Sequence, residues 1–245
     1  MTDPHTIDIY DYGQTKDDIF FFAMELLPGM NLLNLVDTYG AMIPERVVHF
    51  LTQVCDALAE AHDTGLIHRD IKPANIFASQ RGGIYDFSKL LDFGVVRQVS
   101  VDPGLTRAGE RIVGTPNYMS PEQIMAPDKI DGRSDLYGLA GVGYFLLTGR
   151  PPFTGDSPLE IMLAQVDKPP ISPTDLGAKI PADLAEVIMR CLSKDVAERP
   201  ANARDMIVEL KNCKCAGSWT REDAAAWWNQ HSSPVSLSES QVVQD

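Results

Sequence analysis

Apolar residues recur at helical spacing through the longest predicted element of the chain, residues 44–62. Pro44 stands at its first position, where the missing backbone N–H costs nothing. The apolar stripe consists of Val47, Leu51, Val54, Leu58 and Ala61. Residues at these intervals share one face of an α-helix, so the segment predicts an amphipathic helix packed on a core.

Other segments carry helix signals of the same kind. Residues 31–37 predict a short helix closed near Gly40, and residues 135–148 predict a central helix that is apolar nearly all round. Two later amphipathic helices have apolar faces made of Leu184, Val187, Ile188 and Cys191, and of Ala203, Met206, Ile207 and Leu210. Ser120 and Ser157 each precede a Pro and stand three residues before Gln or Glu, which predicts two capping boxes.

Two pairs of short apolar runs predict β-hairpins. Residues 7–12 and 19–25 are separated by Gly13 and a polar turn, and residues 76–78 and 89–91 form the second pair. This second hairpin carries Asn75 at one end and Asp92 at the other. Backbone pairing would then fix both side chains, which suits two ligands that share one ion.

The stretch His68–Asn75 reads HRDIKPAN and lies in a loop between the long helix and the second hairpin. Its spacing allows an acid, an amine and an amide to converge on one phosphoryl group. Asp70 would accept the proton of an attacking hydroxyl, Lys72 would neutralise the phosphate, and Asn75 would hold a metal ion. A second stretch, Asp92-Phe93-Gly94, offers another metal-binding carboxylate.

These two stretches together resemble the catalytic loop and the DFG segment of the protein kinase family. Lys72 is the form typical of serine/threonine-specific members, and the chain is most similar to the bacterial type of eukaryotic-like kinase. The resemblance implies an α+β, kinase-like fold with a complete, mainly helical large lobe. The small lobe would be reduced to its last two strands.

The resemblance also implies a site for ATP and Mg²⁺. Main-chain groups of Glu25 and Leu27 would meet the adenine in the hinge, and Phe77 would contribute to the same cofactor pocket. Asn75 and Asp92 would ligate Mg²⁺. Met24 would border the back of the pocket, although Met24 and Leu27 could equally be core residues.

Residues 95–119 have no sustained period and resemble an activation segment. Thr115 would touch Asp70 and Lys72 and help to select Ser or Thr in the substrate. Arg69 could accept a phosphothreonine that orders this segment, with Thr106 as the first candidate and Ser100 as the second.

Three further residues are implied to hold the large lobe in shape. Glu122 would form a buried ion pair with Arg199, which we expect to fix geometry and not to add stability. Asp135 would brace the backbone of the catalytic loop. The motif around it reads DLYGLAG, with Gly138 and Ala140 where kinases commonly show Ser and Gly.

Three parts of a complete kinase small lobe are not found in the sequence: a Gly-rich loop, a strand lysine and its partner helix glutamate. Before Arg69 the only lysine is Lys16, in a polar turn. We therefore expect an N-terminally truncated kinase that holds the phosphates of ATP poorly. The predicted domains are residues 1–27 as a remnant of the small lobe and hinge, 28–212 as the large lobe, 213–231 as a tryptophan-containing helical extension, and 232–245 as a disordered tail.

Two functions remain open at this point. The first is a serine/threonine kinase that transfers a phosphoryl group from Mg-ATP to a protein hydroxyl. The second is a non-catalytic large lobe that binds a substrate or a partner kinase through its helical face. The tryptophans at 219, 227 and 228 are interpreted as a packing element, not as a binding site.

Composition restricts the partners and the compartment. The net charge of -13 argues against nucleic acid as a partner, since that affinity rests on clustered Lys and Arg. The most apolar segment, residues 136–147, is too short to span a bilayer. Cys55 and Cys191 fall in helical patterns as core residues, and Cys213 and Cys215 lack the partner pair of a zinc site. These features indicate a cytoplasmic protein.

Overall fold

Two small antiparallel sheets accompany a mainly helical body in the computed structural model, which describes residues 1–16, 19–91, 116–177 and 179–231. The strands are β1 (Ile9–Gln14), β2 (Phe20–Met24), β3 (Gly29–Asn31), β4 (Ile76–Arg81) and β5 (Ile84–Leu90). Strands β1 and β2 form an antiparallel pair, and the second sheet has the antiparallel order β3-β4-β5. Both predicted hairpins are therefore present.

The helices agree closely with the predicted segments. They are α1 (Leu32–Tyr39), α2 (Pro44–Asp63), α3 (Pro121–Met125), α4 (Gly132–Thr148), α5 (Pro158–Asp167), α6 (Ala182–Cys191), α7 (Ala203–Asn212) and α8 (Arg221–His231). Short 3-10 turns lie at Pro73–Asn75, Pro116–Tyr118, Pro127–Lys129, Pro173–Leu176 and Val196–Glu198. The fold is thus α+β with a helical main body, as the sequence predicted.

Helix α4 lies at the centre of that body. Its residues from Ser134 to Leu147 are all buried, and it packs against α2, α6 and α7. A Cβ atom on Gly143 would lie 2.8 Å from Ile188 Cδ1 and 2.9 Å from Leu51 Cδ1, so a larger residue here would displace both side-chain ends in the core. Cys55 and Cys191 are free, buried members of the same core, which confirms their prediction.

Local hydrogen bonds begin the helices, with one departure from prediction. Ser120 and Gln123 form the expected capping box of α3. Ser157 accepts the N–H of Glu160, but the Glu160 carboxylate accepts the N–H of Asp156, so this predicted box is not closed on its cap residue. The reason is that Glu160 reaches one residue further back than a reciprocal box requires.

The N-terminal hairpin differs from its predicted bounds. Strand β1 extends through Gly13 to Gln14, and Ile7 lies outside it. The N–H of Ile7 donates to the carbonyl of Leu90 at 3.1 Å, so residues 5–7 run beside β5 instead. The alternation of apolar residues runs without a break from residues 5–7 into β1. The sequence pattern therefore did not show that the first segment pairs with β5 and the second with β2.

Candidate active site

The loop His68–Asn75 has a strained backbone that is held from outside. Arg69 has φ of 66°, in the left-handed region that non-glycine residues rarely adopt. One carboxylate restrains it: Asp135 accepts the N–H groups of His68 and Arg69, each at 2.8 Å. The side-chain amide of Gln123 donates to the carbonyl of Arg69, also at 2.8 Å. These contacts fix the turn immediately before Asp70.

His68 connects this loop to the end of β5. Its Nε2 donates to the carbonyl of Leu91 at 2.7 Å, and its Nδ1 accepts the N–H of Asp70 at 3.3 Å. This pair of bonds corresponds to the neutral imidazole with its proton on Nε2. The buried ring therefore couples the position of Asp70 to the residue that precedes Asp92.

The three predicted catalytic residues converge. Lys72 Nζ lies 2.8 Å from Asp70 Oδ2, and Asn75 Nδ2 donates to the same oxygen at 3.2 Å and to the Asp70 carbonyl at 2.9 Å. The Asp70 and Lys72 side chains are 31% and 23% exposed, so an incoming hydroxyl can reach them. A carboxylate, an ammonium and an amide thus share one solvent-accessible point.

Backbone pairing brings the residue before Asp92 to Asn75. The N–H of Leu91 donates to the Asn75 carbonyl at 2.9 Å, and Ile76 pairs with Leu90 across the hairpin. Asp92 itself lies outside the described residues, as do Ser100, Thr106 and Thr115. Within the described ranges there is no group of three or more His, Cys, Asp or Glu side chains able to hold a metal ion.

The predicted hinge residues follow β2. The Glu25 carboxylate pairs with the buried Lys89 ammonium, and its backbone N–H donates to the carbonyl of Asp8 at 3.0 Å. Burial acts to raise the pKa of Glu25, but the Lys89 hydrogen bond and charge, together with the hydrogen bond from the N–H of Asp8, lower the pKa overall. Leu27 and Phe77 are half-buried, and Phe77 pairs with Asn31 on β3 and Lys89 on β5. The carboxylate and the backbone N–H of Glu25 are thus both bonded within the protein, which leaves its main-chain carbonyl for a ligand.

The remaining predicted pair, Glu122 and Arg199, is formed. Arg199 contacts Glu122 through two nitrogens, at 2.7 and 2.9 Å, and Ser134 donates to the same carboxylate at 2.5 Å. Arg199 also donates to the carbonyls of Ser193 and Arg133. Because Arg133 precedes Ser134 on α4, the pair ties α3 to the first turn of the central helix.

A buried aspartate in the β4–β5 hairpin was not singled out from the sequence. Asp86 is fully buried and accepts hydrogen bonds from Arg46, from Trp219 and from Trp228 at 2.7–3.0 Å. The Arg46 guanidinium lies 3.8 Å from the centroid of the Trp227 ring. The tryptophans therefore pack as predicted, but they do so around a charge that no sequence signal indicated.

Gln165 and its partners were also missed. This fully buried amide on α5 contacts the turn Pro116–Tyr118, which follows Thr115 in the chain. A glutamine in an amphipathic helix is normally solvated, so nothing in the local pattern distinguishes it.

Comparison with known proteins identifies the class. The protein kinase domain matches residues 1–210, so the chain belongs to the protein kinase family. The likeness ends near the end of α7, before the tryptophan-containing helix α8. Among the residues that the structure describes, none of the helices combines the length and apolar character that crossing a membrane requires.

Its relatives are bacterial serine/threonine kinases. The chain is 40% identical over 216 residues to serine/threonine-protein kinase pkn3 of Myxococcus xanthus, a match that covers 86% of this chain and 39% of that protein. It is 35% identical over 213 residues to PknB of Mycobacterium tuberculosis, covering 86% and 33%. The chain thus spans well under half the length of these relatives.

Solved structures show the same fold. Rad53 in complex with AMP-PNP gives a TM-score of 0.67 at 22% identity, covering 84% of this chain and 50% of that chain. The PknI kinase domain of Mycobacterium tuberculosis gives 0.64 at 24% identity, covering 86% and 72%. The kinase-like fold predicted from the two motifs is confirmed.

Proposed function

We propose that the chain carries the catalytic loop of a serine/threonine protein kinase, which transfers the γ-phosphoryl group of ATP to a protein hydroxyl. The convergence of Lys72 and Asn75 on the Asp70 carboxylate supports this most directly. Membership of the family and likeness to bacterial serine/threonine kinases support it independently.

Each of the three side chains has a chemically suitable role. Asp70 accepts the proton of the substrate hydroxyl, because its carboxylate is exposed and oriented by two donors. Lys72, whose Nζ lies beside the Asp70 carboxylate, would neutralise negative charge that develops on the transferred group. Phosphoryl transfer needs little covalent help from the protein, so positioning and charge neutralisation account for most of the catalysis.

The donor set also fits Mg²⁺, which would neutralise phosphate charge when bound with ATP. The side-chain nitrogen Nδ2 of Asn75 is bonded to Asp70. The side-chain oxygen Oδ1 of Asn75 is therefore the atom suited to a cation. Asp92 would add a carboxylate, since Leu91 before it is bonded to Asn75. Glu25 and Leu27 would meet the adenine through the main chain, with Phe77 beside them.

We expect ATP to bind weakly to the chain as it stands. The sequence contains no G-x-G-x-x-G loop and no strand lysine before the hinge. In protein kinases these parts cover and pair the phosphates, so their contribution to binding would be missing.

The decisive experiment is transfer of labelled phosphate from Mg-ATP to a synthetic peptide. The peptide of residues 101–111, VDPGLTRAGER, is a suitable substrate because it presents the candidate site Thr106. We expect slow transfer that Asp70→Asn reduces by at least 10²-fold, since general base catalysis contributes about that much. Asp175→Asn, an exposed carboxylate in the turn Pro173–Leu176, is the matched control and should leave the rate unchanged.

Absence of transfer by the wild-type chain, with binding of the same peptide retained, would instead favour the second function, a lobe that binds substrate or a partner kinase. Equal rates in wild type and Asp70→Asn would show that the activity comes from a contaminant.

We also propose a regulatory role for Arg69. Arg69 is exposed beside Asp70, so its guanidinium is available to a phosphorylated Thr106.

We further propose a cytoplasmic location. The free thiols and the need for ATP both suit the cytoplasm.

A further inference from the structure

One buried side chain, Gln165, binds two backbone carbonyls of the turn Pro116–Tyr118. Gln165 donates through Nε2 to the carbonyl of Pro116 at 3.0 Å and to that of Asn117 at 2.7 Å. The side chain has no exposed surface. One amide group therefore binds two successive carbonyls of the segment that follows Thr115.

The other polar atoms of Gln165 are satisfied as well. Its Oε1 accepts the hydroxyl of Tyr137 at 2.5 Å, and its main-chain carbonyl accepts Lys194 Nζ at 2.6 Å. Lys194 Nζ also lies 3.1 Å from the Tyr137 hydroxyl oxygen and 4.2 Å from the centroid of the Phe153 ring. Gln165 and Tyr137 are buried and Lys194 is half-buried, and a network of this kind in which every member is paired permits one arrangement and resists others.

The same central helix that supports this network also supports the catalytic loop. Asp135 on α4 holds the turn at Arg69, and Tyr137, two residues further, orients Gln165. Gly138, the next residue of α4, lies close to both segments. A Cβ atom added to it would lie 3.1 Å from Ile71 Cβ in the catalytic loop and 3.4 Å from the Tyr118 carbonyl oxygen. Helix α4 thus contacts the catalytic loop and the turn Pro116–Tyr118 at nearly the same point.

We propose that Gln165 is a positioning residue that sets the backbone of residues 116–118 relative to Asp70, and thereby the affinity for the protein substrate. The inference rests on the proposed kinase function. Gln165 does not touch the reacting atoms. It acts through the Pro116 and Asn117 carbonyls, whose directions decide where the main chain of residues 116–118 can meet a peptide.

Steady-state kinetics with the 101–111 peptide test this role. Gln165→Met keeps the length and the apolar stem but removes both donors. We expect its KM for the peptide to rise about ten-fold, as the loss of one or two net hydrogen bonds implies, while the KM for Mg-ATP changes less than two-fold. A merely structural role would lower the concentration of active enzyme and leave both KM values alone.

Two further variants sharpen the result. Tyr137→Phe leaves the amide in place without its orienting hydroxyl, so it should raise the peptide KM in the same direction by a smaller factor. Because both residues act through one amide, the double variant should be no worse than Gln165→Met alone. Leu163→Ala, on the exposed side of the same helix, is the matched control and should match wild type.

Hydrogen exchange of the full chain separates this proposal from the kinase proposal. The N–H of Met119 donates to the Pro116 carbonyl that Gln165 also binds. We expect amides 117–119 to exchange at least ten-fold faster in Gln165→Met, and those of residues 68–75 to be unchanged. A wild type without transferase activity would refute the kinase function while this readout still tests Gln165. Unchanged exchange, or peptide and ATP KM values that rise together, would overturn the proposal.

Discussion

The Glu122–Arg199 pair shows how the stability of one contact depends on pH. Burial acts to raise the pKa of the Glu122 carboxyl, but hydrogen bonds from Arg199 and Ser134 outweigh it and lower the pKa below its ordinary 4.5. A lowered folded-state pKa gives stability that is present above 4.5 and lost as pH falls through the folded value. The pair should therefore stabilise the fold at neutral pH and fail in acid.

Glu122→Gln tests this at the level of one residue. At pH 7 we expect the free energy of unfolding in urea to fall by about 3–5 kcal/mol, because Arg199 remains buried without a counter-charge. The difference from wild type should shrink as pH falls below 4.5, since protonated Glu122 resembles glutamine. Asp131→Asn, which weakens the half-exposed pair with Arg133, is the control and should cost less than about 1 kcal/mol. A difference in the free energy of unfolding between wild type and Glu122→Gln that stays constant with pH would contradict the lowered pKa of Glu122.

At the scale of elements, helix α8 is attached through the Asp86 carboxylate. Trp228 Nε1 donates to Asp86 Oδ1 at 2.7 Å. The neighbouring Trp227 contacts the Arg46 guanidinium through the face of its ring instead. Trp228→Phe should lower the free energy of unfolding by about 1.5–3 kcal/mol, the range for a hydrogen bond to a charged group. In this variant, amide hydrogen exchange should become faster in residues 221–231 and should change less in residues 68–75.

Trp227→Phe is the matched comparison for this element. A phenyl ring preserves the face that the Arg46 guanidinium contacts, so its effect should be clearly smaller. Equal effects of the two substitutions would mean that ring volume, and not the bond to Asp86, attaches the helix.

The same elements show what sequence could predict and where it stopped. Helices α2 and α4 and the convergence of Asp70, Lys72 and Asn75 were predictable, because their signals lie within a few residues of one another. Strand β3 was missed because it has three residues and no period. Asp86 and Gln165 were missed because a polar residue beside apolar ones indicates a solvated position, and their partners come from distant parts of the chain.

At the scale of the whole molecule, two opposing features govern association. The β1–β2 hairpin exposes aromatic residues, with Tyr10 and Tyr12 72% and 75% exposed, and its sheet has only two strands among the described residues. Such edges and apolar faces favour pairing between chains. The net charge of -13 opposes pairing through repulsion, and salt screens that repulsion over a Debye length of about 8 Å at physiological ionic strength.

Sedimentation velocity should therefore show self-association that grows between low and roughly 0.5 M salt, where screening is stronger. Changing Tyr10 and Tyr12 together to Lys should weaken that association at least ten-fold, because lysine blocks edge pairing. The same change makes the net charge less negative, so repulsion alone predicts stronger association instead. Placing two lysines at the exposed Leu159 and Leu163 of α5 alters the charge equally and should not protect. Protection by both double variants would mean that lysine acts without regard to its position, and protection by the α5 variant alone would locate the contact away from the hairpin.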